Sequence, residues 1–384
     1  MNLLYFILLL IVSNFTYADN DLFSSKVDLM FESITNDEMP GCSIGVIKNG
    51  EFLHRAGYGM ANLEHGIANT TETVFRIGSI SKQFTAMSMA LLEEQGVIDF
   101  DASIHNYIPD LISYKNEVTV NHLLHHFSGL GDYEYSDYPG RFINAVGEEF
   151  RWGNEDYMSN EEIYSLFKTL PLIMRPETKF WYSNLGYGLL AIIVENTTGM
   201  SLREYAESKI FTPLGMQSTF FNDNVNLIVK NRADGYSTDQ AYPGQYVINM
   251  TNLSNIGDGG VYTTINDFIK WDDNFYANKL GESSTSLIGT MEQNFYQTAG
   301  HDVKTSSKQD RDIDSYAFAQ NYDIKYGFER WSHSGSWVAF TAHYSRFPSL
   351  RFSVVTLCNN QDIDAEEISQ EVMSIFFNGG ADKK

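Results

Sequence analysis

Residues 75–85 read Phe75-Arg76-Ile77-Gly78-Ser79-Ile80-Ser81-Lys82-Gln83-Phe84-Thr85. Phe84, Met87, Ala90 and Leu91 recur at helical spacing and Gly96 closes the run, which predicts a helix over Ser79–Gln95. The Ser79 hydroxyl then sits at a helix N-terminus, where the dipole and unpaired N–H groups stabilise developing negative charge. Lys82 lies three residues on, one turn away on the same face. A serine is a poor nucleophile until a base takes its proton. A lysine can be that base only where burial or nearby charge lowers its pKa. The plainer reading is a capping serine with a solvated lysine. Ser165-Leu166-Phe167-Lys168 repeats the spacing inside an ordinary amphipathic stretch, so four residues alone do not decide.

Two further segments carry chemistry of the same kind. Tyr182-Ser183-Asn184 precedes the apolar run Leu185–Val194. A phenol near a lysine can relay a proton, and an asparagine can hold a substrate amide. Tyr114-Lys115-Asn116 and Tyr276-Ala277-Asn278 show how cheaply such a triplet arises. His333-Ser334-Gly335-Ser336 falls in a strand-like stretch. Its glycine would let a ligand approach an edge backbone; a polar turn fits equally well.

Outward from these segments, Leu22–Ile34 reads as a short helix. Cys42–Ile47 and Glu51–Tyr58 read as strands around the hairpin signal Asn49-Gly50. Thr263–Tyr276 is predicted helical. Tyr326–Trp331, Val338–Arg346 and Arg351–Leu357 are predicted strands, and Ile363–Phe377 a closing amphipathic helix. Thr298–Asp314 is polar and reads as an exposed loop. The middle, about 100–255, is mostly helical segments and aromatic-rich loops such as Tyr133-Glu134-Tyr135. The fold class is therefore α+β. One antiparallel sheet collects strands from both chain ends, helices flank it, and a mostly helical lobe is inserted, all within a single domain over 19–380.

The chain has 384 residues, 26 Lys plus Arg against 49 Asp plus Glu, and a formal charge of −23. A surface this acidic is repelled by phosphate backbones, which argues against a nucleic-acid partner. With 43% hydrophobic residues the chain is not a disordered one. The uninterrupted apolar run Leu3–Val12, followed by Thr16-Tyr17-Ala18, reads as an export signal over 1–18, although its first residues lack Lys and Arg. The mature chain is expected in a secreted or periplasmic space. Cys42 and Cys358 are the only cysteines, and two separate buried thiols are expected rather than a bridge.

Two tempting motifs fail on context. Gly41-Cys42-Ser43-Ile44-Gly45 has the nucleophile-elbow spacing, but a hairpin follows it where the elbow needs a helix. His122-Leu123-Leu124-His125-His126 lacks the glutamate of a zinc protease. Asn69, Asn196, Asn249 and Asn252 open glycosylation sequons, which matter only in a eukaryotic host.

Order and spacing together make the chain resemble the serine β-lactamase-related hydrolases: class C β-lactamases, D-Ala-D-Ala carboxypeptidases, D-aminopeptidases and β-lactamase-like esterases. The resemblance rests on residues 75–85, Leu123-Leu124-His125-His126-Phe127-Ser128-Gly129-Leu130 and Tyr182-Ser183-Asn184-Leu185-Gly186-Tyr187. Pro213-Leu214-Gly215-Met216 and Gly257-Asp258-Gly259-Gly260-Val261-Tyr262 extend it, so that it runs from about Pro40 to Asn360. It implies a β-lactamase/transpeptidase-like fold and acyl transfer through a serine ester, with no metal and no organic cofactor.

In that pattern Ser79 attacks, Lys82 takes or relays its proton, and Tyr182 serves the leaving group and the deacylating water. Asn184 holds the substrate amide or the lysine, His333 and Gly335 line the cleft, and the N–H groups of Ser79 and Ser336 receive the oxyanion. Many β-lactamases carry Lys-Thr-Gly where this chain has His333-Ser334-Gly335, so a fixed cation is missing. The expectation is a small-molecule or peptide substrate, D-amino-acid peptides or small esters. A true β-lactamase and a non-turnover penicillin-binding domain are the alternatives.

Overall fold

Asn49 and Gly50 both have positive φ, 56° and 82°, the geometry of a tight hairpin turn that follows the natural strand twist. The turn joins the first two strands of the main sheet. The computed structural model describes residues 17–111, 117–132, 157–168, 170–239, 241–282, 284–293 and 315–379. Its principal elements are α1 (Tyr17–Glu32), β1 (Cys42–Lys48), β2 (Glu51–Tyr58), α2 (Lys82–Glu94), α3 (Asn184–Thr198) and α4 (Ile265–Ala277). They continue with β3 (Ser315–Tyr316), β4 (Asn321–Lys325), β5 (Phe328–Trp337), β6 (Phe340–Phe347), β7 (Phe352–Cys358) and α5 (Ala365–Gly379).

The sheet runs β3-β4-β5-β6-β7-β1-β2 and every pairing is antiparallel. β7 lies against β1, so strands from the two ends of the chain join in one sheet, as the sequence predicts. Side chains alternate across these strands. Ile44, Val46 and Val354 pack with Phe23, Val27 and Phe31 of α1 and with Ile368 and Val372 of α5. Val355, Leu357 and Tyr344 face the other way, into a larger core with α2, α3 and α4. That second core sets α2 behind the sheet, with Lys82–Leu92 buried throughout.

Four details differ from the sequence reading. Cys42 and Cys358 are directly opposed across β1 and β7 and form a disulfide, not two thiols. Residues 316 apart reveal that register only once the strands pair. The helix at Ser79 begins as a 3₁₀ turn over Gly78–Ser81 and becomes α-helical at Lys82. β5 runs through Trp337, past the predicted strand end at Trp331, and takes in the strand-like stretch 333–336. The middle region holds helices Val120–Leu124, Asn160–Phe167 and Leu202–Ala206 besides α3, and also short strands at Phe220–Phe221, Tyr236–Thr238 and Tyr246–Ile248. The leader run, Tyr114–Asn116, Tyr133–Tyr135 and the whole predicted loop 298–314 lie outside the described residues.

Candidate active site

The site forms where β5 crosses the turn before α2. Phe75–Arg76 pairs with Val261–Thr263, which aims the turn at the sheet edge. Gly78 has φ 51°, and a Cβ there would stand 2.6 Å from the Ser336 nitrogen. A Cβ on Gly335 would stand 2.0 Å from the Ile77 carbonyl oxygen and 3.1 Å from the Ser79 nitrogen. Real Cβ contacts do not close to such distances, so two glycines let strand and turn touch. The closeness brings the backbone nitrogens of Ser79 and Ser336 to one seam.

Lys82 is fully buried behind that seam. Its Nζ donates to Asn184 Oδ1 at 2.5 Å and to the Asp258 carbonyl at 2.6 Å, and lies within hydrogen-bond distance of Ser79 Oγ at 3.1 Å. The Tyr182 and Tyr187 rings flank it, with centroids 4.9 and 5.6 Å from Nζ. Asn184 is held by helix capping: Ser183 Oγ accepts from the Gly186 N–H, and Asp132 Oδ2 accepts from the Asn184 N–H at 2.9 Å.

A buried chain of hydrogen bonds supports the other wall. The Ser183 N–H donates to His126 Nδ1 at 3.1 Å, so the His126 proton sits on Nε2 and is donated to the Tyr316 hydroxyl at 3.1 Å. Tyr316 O–H then donates to His333 Nε2 at 3.2 Å, leaving the His333 Nδ1 proton for the Ser334 carbonyl at 2.6 Å. Burial first, then the charges of Lys82, His333 and His125, holds the His126 imidazole well below its ordinary pKa, so the ring stays neutral.

The structure thus brings Ser79, Lys82, Tyr182, Asn184, Gly335 and Ser336 together. His333 joins them from inside the fold, with its ring 6.3 Å from that of Tyr182. His126 and Tyr316 escaped the sequence reading. His126 stood in a segment weighed for metal binding, whereas Tyr316 follows a polar stretch and carries no motif at all. His122 pairs with Glu177 at 3.0 Å while His126 turns to Ser183 and Tyr316, so the two rings serve different partners. In the elbow-like segment, Ser43 Oγ donates to the Thr70 carbonyl within β1 and Cys42 is bridged.

Ser79 opens onto a cavity walled by Arg76, Asn184, Asn255, Asp258, Ser336 and Trp337. A second, more apolar hollow adjoins it across Asn255 and Asp258 and is lined by Ile163, Leu185, Leu189 and Ile192.

A sequence model of the Beta-lactamase family matches residues 27–371. The chain belongs to the beta-lactamase family. Among its curated relatives is a penicillin-binding protein of Bacillus subtilis, 25% identical over 87% of this chain and 71% of that one. A D-aminopeptidase of Gluconobacter oxydans is 26% identical over 92% of this chain and 62% of that one. The octameric penicillin-binding protein homologue from Pyrococcus abyssi superposes with a TM-score of 0.77 at 26% identity, covering 92% of this chain and 77% of that one. The α+β architecture is that of the β-lactamase/transpeptidase-like fold, and the family is one of serine hydrolases. Among the described residues no helix is long and apolar enough to cross a membrane.

Proposed function

We propose that this protein is an exported serine hydrolase that cleaves amide or ester bonds through an acyl-serine intermediate, acting on D-amino-acid peptides or small esters. The observation that carries the reading is the buried Lys82 Nζ 3.1 Å from Ser79 Oγ, beside a glycine-lined seam. Ser79 Oγ bonds to the substrate carbonyl carbon as its proton passes to Lys82 in its neutral amine form, directly or through Tyr182. The carbonyl oxygen takes the negative charge against the N–H groups of Ser79 and Ser336. Collapse breaks the bond to the leaving group, which takes a proton from Tyr182 or Lys82. Water then attacks the ester by the same path, releasing the acid and restoring Ser79. Asn184 keeps Lys82 in place. The D-aminopeptidase relative supports the substrate class. The apolar leader supports export, and so does the Cys42–Cys358 bridge, since such bonds persist in oxidising compartments.

The missing third-motif lysine favours a peptidase or esterase over a β-lactamase. In place of that lysine stands an imidazole already bonded to the Tyr316 hydroxyl and the Ser334 carbonyl. A turnover panel of nitrocefin, a short-chain nitrophenyl ester and a D-Ala-D-Ala peptide tests this, with mass spectrometry after fluorophosphonate treatment. The expected results are a Ser79 adduct, turnover of the ester or peptide, and slow nitrocefin hydrolysis. A nitrocefin kcat/KM of about 10⁶ M⁻¹s⁻¹ or more, well inside the range of efficient enzymes, would make it a β-lactamase. No adduct and no turnover would leave a binding domain.

A further inference from the structure

Arg76 has no part in the mechanism above, yet it is 4% exposed and forms part of the cavity wall beside Ser79. Its guanidinium lies between Gly259 and Trp337, with Cζ 5.5 Å from the centre of the Trp337 ring. Arg76 Nε and Trp337 Nε1 are both buried without a hydrogen-bond acceptor among the described residues. A guanidinium is always charged, and burying one without a counter-ion is costly, as is burying an unmatched N–H. Two unmatched donors in the wall of one cavity call for an acceptor-rich group from outside the chain.

The geometry also says which half of a substrate would bring it. Tyr182 and His333 are not among the walls of this cavity. If Tyr182 protonates the leaving group, the leaving group lies on the Tyr182 side of Ser79 and the acyl half enters the cavity. We propose that the cavity is a subsite for an acyl half bearing a carboxylate, gripped by Arg76 with the Trp337 N–H beside it. A planar guanidinium matches a carboxylate with two parallel hydrogen bonds. The favoured substrates are then half-esters of short dicarboxylic acids, or D-peptides with an acidic residue on the acyl side. The inference rests on the acyl-serine reading. Asp258 shares the cavity, its Oδ1 accepting from Asn255 Nδ2 at 3.2 Å, so an ammonium-bearing acyl half is the rival occupant.

The test compares kcat/KM for phenyl monoesters of succinate and glutarate with phenyl butyrate, phenyl valerate and phenyl 4-aminobutyrate, each corrected for spontaneous hydrolysis. The wild-type protein is expected to favour a diacid over its neutral match about ten-fold or more at low salt. Arg76→Gln should erase that ratio and Arg76→Lys should keep part of it, with fluorophosphonate labelling of Ser79 reporting that each variant is folded. If Arg76→Gln does not fold, the wild-type ratio and its decline with added salt decide alone. A wild-type preference for the neutral or ammonium ester, with Ser79 still labelled, overturns the subsite and leaves the hydrolase standing. Absence of labelling and of turnover on every ester overturns the underlying reading, and the subsite with it.

Discussion

The same four-residue spacing occurs twice in this chain, and the two copies meet opposite fates. At Ser79–Lys82 the lysine is fully buried, lies within hydrogen-bond distance of three oxygens and sits between two tyrosine rings. At Ser165–Lys168 the serine is exposed, and Lys168 reaches Asp110 at 3.3 Å with its side chain 36% accessible. Tyr164, one turn back, donates to that same carboxylate and, ahead of Lys168, holds Asp110 below its ordinary pKa. The difference lies in what covers each helix. α2 is enclosed by the sheet and α3, whereas Asn160–Phe167 opens with Glu161 and Glu162 on an amphipathic surface turn. A lysine paired with an exposed carboxylate stays a solvated cation; one held among oxygens beside a hydroxyl can exchange a proton with it.

The sharpest way to break the comparison is to remove each serine. Ser79→Ala should lower kcat/KM on a hydrolysable ester by about four orders of magnitude or more, the scale of losing a covalent nucleophile. Ser165→Ala should leave it unchanged. Equal rates for the two purified variants would erase the distinction. The seam offers the next test. Gly335→Ala places a methyl against the Ile77 carbonyl and the Ser79 nitrogen, and should cost about 10²–10³ in kcat, as loss of an oxyanion donor does. A variant with normal kcat would show that strand and turn need not touch.

Burial also predicts acid sensitivity. His125, buried against α2's side of the core, has its pKa pushed down to about 4, chiefly by loss of hydration. Above pH 6.5 folded and unfolded chains are alike neutral there. Below it the unfolded imidazole takes a proton that the folded one refuses until about pH 4, so stability falls through that window by on the order of 3 kcal/mol. Urea unfolding at stepped pH should show the slope, and His125→Gln should flatten it; an unaltered slope in the variant would assign it elsewhere. The smallest effect is expected for Tyr316→Phe, which opens the His126–Tyr316–His333 chain. It should cost about ten-fold in kcat, one hydrogen bond's worth, with a shifted pH profile. An unmoved profile would reduce Tyr316 to packing.

Much of the architecture was legible because local patterns carry it. Alternation and the Asn49-Gly50 turn announced β1 and β2, and the spacing of Phe84, Met87 and Leu91 announced α2. Boundaries were less legible. Ser79 lies in a 3₁₀ turn where β5 passes close to Gly78, an approach between segments more than 250 residues apart along the chain. The disulfide was misread for a similar reason: the Cys42–Cys358 pairing is a property of register between strands at opposite ends of the chain.

The amino-acid order by itself determined that this is an α+β chain with a Ser-x-x-Lys helix, a Tyr-x-Asn segment and a His-x-Gly strand, because period and residue type are local properties. Which Ser-x-x-Lys is enclosed, where Tyr316 links two imidazoles, and that Arg76 lines a cavity with its Nε unmatched among the described residues were decided only by tertiary structure. Burial and hydrogen-bond direction depend on neighbours that lie hundreds of residues away.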